Sequence, residues 1–402
     1  MTVPGTQSVI MACRGDPAIP SYTHHVPKLV VLLEQLLAPV PGGTGRYSRE
    51  LAAALAATAP AGWTVSSAIA RHADPSVAII SGVEGPQLLP LPRRALVAAW
   101  ESGVPLWPGG DTVHAPTPLA PPGPSRGREL VVTVHDTVPW THPEALTRRG
   151  AGWHRRMISR AARRADAVVV PTAAVGADLP RHVPCQAPVH VVGEGVAAAL
   201  SRLPDDAGAI ATRLDLPPRY VLAIGTLEPR KGIGTLLAAL AAPGAPTLPV
   251  VLAGQPGWGP LDPAELASNA GLDPVRVRML GRITDPELAV VLYRAAVLAA
   301  PSLAEGFGLP VLEAMAAGVP VVHSDAPALV EVAGGAGVTV PRGDPGALAT
   351  ALRAVLSDAR KAQAMTAAGR RRAEQFSWER TARRVWSVHV KLHRSRTRAV
   401  IS

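Results

Sequence analysis

Apolar residues fall along this chain in short blocks separated by longer Ala/Leu/Arg-rich stretches, the alternation expected when buried strands feed covering helices. Lys28-Leu-Val-Val-Leu-Leu-Glu34 reads as a buried first strand, and Tyr47 to Ala57 as the helix that follows a glycine loop. Strand-like blocks recur at Val77–Ile80, Thr112–His114, Leu130–His135, Ala167–Val170 and His190–Val192. The pattern lapses between about Gly195 and Pro218, then resumes at Tyr220-Val-Leu-Ala-Ile, Val250-Val-Leu-Ala, Val275–Leu280, Ala296–Ala300, Val319–Val322 and Val338–Val340. Two α/β series joined by a Pro/Asp-rich connection predict two doubly wound, Rossmann-like domains facing a cleft. The expected boundaries are a loose leader at 1–27, a first domain at 28–200, a connection at 201–218, a second domain at 219–378 and a terminal helix with a basic tail at 379–402.

Composition narrows the class. The 402 residues are 48% hydrophobic and 3% aromatic, which excludes disorder as the main state. No uninterrupted apolar run reaches the roughly 18 residues of a membrane-spanning helix. Residues 1–27 lack the charged start and apolar core of a signal peptide, and two cysteines, Cys13 and Cys185, have no metal-ligand spacing around them. A reducing cytoplasm is the expected compartment.

The net charge of +10 is uneven. From Arg370 to Ser402 ten basic residues stand against Glu374 and Glu379, and Arg148, Arg149, Arg155, Arg156, Arg160, Arg163 and Arg164 form an acid-free cluster. At helical spacing Arg149, Arg156, Arg160, Arg163 and Arg164 share one side with Trp153 beside them. Solvated helix faces explain such clusters; an anionic membrane surface at the inner face of the membrane is the competing reading. Nucleic acid fits less well, because no aromatic stacking platform accompanies the arginines.

The chemistry concentrates in Pro301-Ser-Leu-Ala-Glu-Gly-Phe-Gly-Leu-Pro-Val-Leu-Glu313. Gly306 and Gly308 lead into a helix opening at Pro310 and closing at Gly318, so the N–H groups from Phe307 to Leu309 form an anion site. Glu305 and Glu313 bracket it, an arrangement suited to a ligand with both phosphates and hydroxyls. A nucleotide sugar meets that description. Arg230 and Lys231, at the start of another helix, are placed against the dipole unless an anion meets them. His135 ends a strand, at the carboxyl end that faces the cleft, where either a packed core histidine or a cleft residue can sit; His114 reads as a structural neighbour.

Glu305 and Glu313, with seven residues between them, resemble the paired acids of the retaining glycosyltransferases of family 4. Gly225-Thr-Leu-Glu-Pro-Arg-Lys-Gly232 is similar to that family's donor-phosphate segment, and Gly42-Gly-Thr-Gly-Arg-Tyr47 to its N-terminal glycine loop. The resemblance, from about Lys28 to about Ser377, implies the GT-B fold and transfer of a sugar from a nucleoside diphosphate co-substrate with no other cofactor. It implies that His135 touches the sugar, Glu305 holds sugar hydroxyls and Glu313 the ribose. Gly43, Thr44, Gly45, Thr226, Arg230, Lys231, Gly306, Phe307, Gly308 and Leu309 would then bind the donor. Thr226 stands where some members carry an arginine, which leaves Lys231 and Arg230 as the charge on the leaving phosphate. No Asp-x-Asp motif exists in the chain, so no metal is expected. The segments most resemble mannosyltransferases using GDP-mannose, with UDP-glucose and UDP-N-acetylglucosamine open as donors and a glycan or lipid-linked molecule as acceptor. A nucleotide-sugar 2-epimerase and a non-catalytic basic binding module are the alternatives.

Overall fold

The structure, a computed structural model, describes residues 26–257 and 262–401. The expected leader lies almost wholly outside these residues.

Seven parallel strands form the first sheet: β1 (Lys28–Leu32), β2 (Thr64–Arg71), β3 (Glu84–Pro92), β4 (Thr112–Ala115), β5 (Glu129–Thr133), β6 (Ala167–Val170) and β7 (Val189–Val191), in the order β3-β2-β1-β4-β5-β6-β7. Six parallel strands form the second: β8 (Val221–Ile224), β9 (Val250–Ala253), β10 (Val277–Gly281), β11 (Val297–Ala300), β12 (Val321–Ser324) and β13 (Val338–Val340), in the order β10-β9-β8-β11-β12-β13. Both are doubly wound. The strand order reverses between β1 and β4 in one sheet and between β8 and β11 in the other, and such switch points are where open α/β sheets bind ligands. The glycine-rich segments after β1, β8 and β11 occupy these positions.

Several local expectations are corrected. Val77–Ile80 is not a strand; Ser76–Ala78 forms a single 3₁₀ turn, and the true strands flank it. β2, Thr-Val-Ser-Ser-Ala-Ile-Ala-Arg, has no bulky apolar run, and β3 carries three prolines, tolerated because it is an edge strand with one ladder free. The helix expected at Tyr47 begins at Gly42, so Gly42 to Gly45 form its first turn rather than a loop before it. The stretch 201–218 contains a helix, Ala207–Arg213, whose Ile210 and Ala211 pack with Val290 of the second domain.

The chain crosses between the domains near Gly195 and returns near Trp378, and the two crossings touch: a Cβ on Gly195 would lie 2.3 Å from the Trp378 nitrogen. The last helix, Trp378–Ile401, then lies on the first domain. Its Trp386 indole donates to the Leu55 carbonyl (3.0 Å), and Arg396 pairs with Asp166 (3.2 Å). His389 accepts or donates to Thr112 (2.7 Å) and His114 (3.2 Å), and His114 continues to Thr133 (3.1 Å), forming a buried polar chain under β4 and β5. Part of the basic tail is therefore committed to intramolecular contacts.

Candidate functional site

Gly225 follows β8 at φ 142°, and a short turn, Pro229–Lys231, closes at Gly232 with φ 69°. Gly232 has no room for a side chain, since a Cβ would approach the Pro301 carbonyl oxygen to 2.2 Å. That contact presses the Arg230-Lys231 turn against the loop after β11. The Lys231 ammonium donates to Glu305 Oε1 at 2.6 Å, and Ser302 Oγ donates to the same oxygen at 2.8 Å. Arg230 donates to Glu305 Oε2 (3.1 Å), to the Ala304 carbonyl (2.8 Å) and to Glu228 (3.2 Å). Burial works against the Glu305 charge, but Lys231 and Arg230 outweigh it and hold the carboxyl down at about 2. The anion that meets these cations in this structure is thus Glu305. Their presence alone does not require a bound phosphate, contrary to the expectation from sequence.

Gly308, at φ 103°, precedes the helix Leu309–Ala317, which Gly318 terminates in the left-handed region. These bounds sit within a residue of those expected. The N–H groups of Phe307, Gly308 and Leu309 meet no acceptor among the described residues. The Phe307 ring itself is core, edge-on to Phe376 at 5.8 Å. Gly225, Lys231, Ser302, Glu305 and Gly308 line one pocket at the β8/β11 switch point. Thr226 lies outside it, its methyl 3.2 Å from where a Cβ on Gly257 would fall.

The first domain reaches this site at two places. At Gly306 a Cβ would collide with the His135 carbonyl oxygen at 1.9 Å, and Thr172 Oγ1 donates to the Gly306 carbonyl (2.9 Å). His135 is packed: Nε2 donates to the Pro116 carbonyl (2.7 Å), Nδ1 lies 3.7 Å from Glu194, and the ring stands edge-on to Tyr47 at 4.6 Å. Burial depresses the imidazole, yet the Glu194 hydrogen bond and charge shift it upward overall; burial likewise raises Glu194 against the pull of His135. The second place is Arg46, one residue beyond the glycine turn. Its guanidinium donates to Glu313 Oε1 (2.9 Å) and to Asp285 (2.7 Å), both in the second domain. Glu313 is 3% exposed at its side chain, and burial raises it despite Arg46.

Not every expected residue joins this constellation. Gly45 is small because a Cβ would lie 2.5 Å from Pro41 Cβ, and Thr44 Oγ1 donates to the Pro41 carbonyl (3.1 Å); both shape the turn itself. Gly43 is exposed, and a Cβ there would meet nothing within 4 Å, so the space beside the turn is open. Arg46, Glu194, Asp285, Glu228 and Ser302 belong to the site and escaped the sequence reading. Arg46 stands inside the glycine-rich segment, but nothing in spacing indicates that it spans to Glu313. Glu194 sits in Val192-Gly-Glu-Gly-Val, a glycine-flanked acid whose partner is distant in sequence.

The basic helix Arg148–Arg164 is likewise more tied down than its pattern suggests. Arg160 donates to the Trp100 and Glu101 carbonyls and Arg156 pairs with the Glu101 carboxylate, together covering the C-terminus of the helix Arg93–Ser102. Trp153 packs against the core beneath β4 and β5 rather than standing out beside the arginines. Arg148, Arg149, Arg163 and Arg164 remain exposed.

Comparison with known proteins agrees with this architecture. Residues 41–200 match the family described as Glycosyltransferase Family 4, and residues 218–358 match Glycosyl transferases group 1. The chain belongs to the family 4 glycosyltransferases, with two Rossmann-like domains in the GT-B arrangement. It is 39% identical to O-antigen chain mannosyltransferase B of Escherichia coli over 40% of this chain and 42% of that protein. It is 37% identical to a D-inositol 3-phosphate glycosyltransferase of Rhodococcus jostii over 48% and 45%, and 32% identical to MMP alpha-(1->4)-mannosyltransferase of Mycolicibacterium hassiacum over 66% of each. The chain thus spans about half the length of the first two of these relatives. Sucrose-phosphate synthase of Thermosynechococcus elongatus superposes with a TM-score of 0.72 at 25% identity, covering 92% of this chain and 100% of that one. Among the described residues no helix is long and apolar enough to cross a membrane.

Proposed function

We propose that this chain transfers a hexosyl group, mannose foremost, from a nucleoside diphosphate sugar to a glycan or lipid-linked acceptor, with retention and without a divalent metal. The observation that carries the reading is the convergence of Lys231, Glu305 and Gly308, at the start of the helix Leu309–Ala317, on one pocket at the β8/β11 switch point, with Arg230 braced on Glu305. Breaking a sugar–phosphate bond builds negative charge on the leaving diphosphate. Fixed donors aimed at that charge lower the barrier most. Lys231 spends one of its three protons on Glu305, which leaves two for phosphate oxygens, and the helix terminus adds backbone donors. Glu305, kept ionised, offers its remaining lone pairs to sugar hydroxyls, and Glu313 offers its second oxygen to the ribose.

GDP-mannose is favoured among donors because two of the relatives named above are mannosyltransferases by name. His135 has both ring nitrogens engaged inside the protein, so its contact with the sugar would come from the ring edge or follow release from Pro116. Peripheral attachment to an anionic membrane, which would suit a lipid-linked acceptor, rests on Arg148, Arg149, Arg163 and Arg164. Thermal unfolding with GDP-mannose, UDP-glucose and UDP-N-acetylglucosamine tests the donor reading, because a ligand bound only to the native state raises Tm by mass action. GDP-mannose should give the largest rise; a rise confined to a UDP sugar would replace mannose, and none would remove the donor site.

A further inference from the structure

We propose that Arg46 is a positioning residue supplied to the nucleotide site by the opposite domain: it grips one oxygen of Glu313 and leaves the other to receive the ribose. The inference rests on the nucleotide-sugar reading above and adds a residue that reading does not need. Arg46 lies on the helix Gly42–Ala57 of the first domain and Glu313 on the helix Leu309–Ala317 of the second, and among the described residues no other cation is paired with Glu313. Only Glu313 Oε1 is bound; Oε2 has no partner among the described residues. The other guanidinium nitrogen is fixed by Asp285, so the arginine cannot swing freely toward a ligand. A bidentate bridge between two acids gives Arg46 a fixed orientation that a lysine's point charge would reproduce less well.

The surroundings make the arginine's charge matter. Glu313 is faced by Asp285 from the second domain and by Glu194 from the first, both of which oppose its ionisation. Glu50, one turn beyond Arg46 on the same helix, adds a further acid, with Arg49 beside it. Burial pushes Glu313 upward as well, and Arg46 is the opposing influence. A protonated Glu313 would lose acceptor capacity toward ribose hydroxyls. Arg46 favours the ionised carboxylate; without it, the carboxyl should take up a proton at higher pH than with it, and nucleotide affinity should become more pH-dependent.

Calorimetric titration with GDP, UDP and ADP, using whichever binds the wild-type chain most tightly, separates the possibilities between pH 5 and pH 8. Glu313→Gln should weaken binding at least tenfold at every pH. Arg46→Met should weaken it similarly, with the loss growing as pH falls, while Arg46→Lys should recover most of the affinity at pH 8. The double variant Arg46→Met, Glu313→Gln, which buries no unpaired charge and so guards against a folding defect, should bind no worse than Glu313→Gln alone. Weakening by Glu313→Gln with no effect of Arg46→Met on affinity or its pH profile would overturn the role of Arg46 and leave the nucleotide site standing. Tighter binding by Arg46→Met would make Arg46 a competitor of the ribose and overturn it too. No effect of either variant, or no binding of any of the three nucleotides, would remove the nucleotide reading itself.

Discussion

Lys231 and Glu305, 74 residues apart in sequence, meet at 2.6 Å where the loops after β8 and β11 converge. Each is more than four-fifths buried at its side chain, so this pair is both a structural bridge and the candidate grip on the donor. Lys231→Ala removes one fixed donor from the leaving phosphate and should lower kcat by ~10²–10³-fold. The same change leaves Glu305 with Arg230 and Ser302, so unfolding free energy should fall by about 3 kcal/mol, the low end for breaking a buried pair. Steady-state kinetics beside urea unfolding checks both; unchanged kcat would remove Lys231 from the reaction.

Glu305→Ala and Glu313→Ala should separate. Loss of Glu313 would remove the charged hydrogen bond proposed to the ribose and should cost about 1.5–3 kcal/mol of nucleoside diphosphate affinity. Loss of Glu305 should spare that affinity and impair turnover, since the sugar is the partner proposed for it. Equal loss of nucleotide affinity in both variants, read by calorimetry, would mean the roles are misassigned.

How much of this was legible in the sequence follows from the range of each interaction. The β8 and β11 segments were readable because glycines such as Gly232 and Gly308 are dictated locally, by positive φ. Strands built of apolar residues announced themselves. β2 and β3 did not, because small residues and an edge position hide the period. Arg46, Glu194 and Asp285 could not be found, since their roles exist only once two domains are laid face to face. The same limit applies to Arg156 and Arg160: helical spacing showed a basic face, not the Glu101 carboxylate that holds Arg156 or the Trp100 and Glu101 carbonyls that hold Arg160.

Stability should depend on acid in a defined way. Burial holds His114 down to about 3, from 6.5, so the unfolded chain binds the extra proton and stability is lost as pH falls from 6.5 toward 3. Glu305, lowered from 4.5 to about 2, adds a further loss as pH falls below 4.5. Glu129 acts oppositely: burial raises it from 4.5 to about 7, so it disfavours the native state progressively as pH rises through that interval. His389, beside His114, is likewise held well below 6.5 by burial, so the two histidines outweigh Glu129: urea unfolding should show stability falling as pH drops below 6.5, and more steeply below 4.5. Glu129→Gln should steepen the rise in stability with pH over the upper interval; an unchanged profile would contradict the assignment.

Attachment to anionic membranes, if the exposed arginines mediate it, should be lost in Arg148→Glu, Arg149→Glu, each charge near the surface contributing about 1 kcal/mol. That pair avoids Arg156 and Arg160, whose substitution would uncap the helix Arg93–Ser102. Sedimentation with phosphatidylserine vesicles at low salt reads the outcome. Equal binding by the wild-type and variant chains would return this face to solvent.

A donor site built from Lys231, Glu305 and a helix terminus should break the sugar–phosphate bond even with no acceptor added, which proton NMR of GDP-mannose incubated with the chain in EDTA reads out. Mannose should be released slowly, appearing first as the α anomer, undiminished by EDTA and abolished in Glu305→Ala. A 2-epimer as product, β-mannose appearing first, metal-reversible loss of turnover, or failure to consume this or either UDP sugar would contradict such a site.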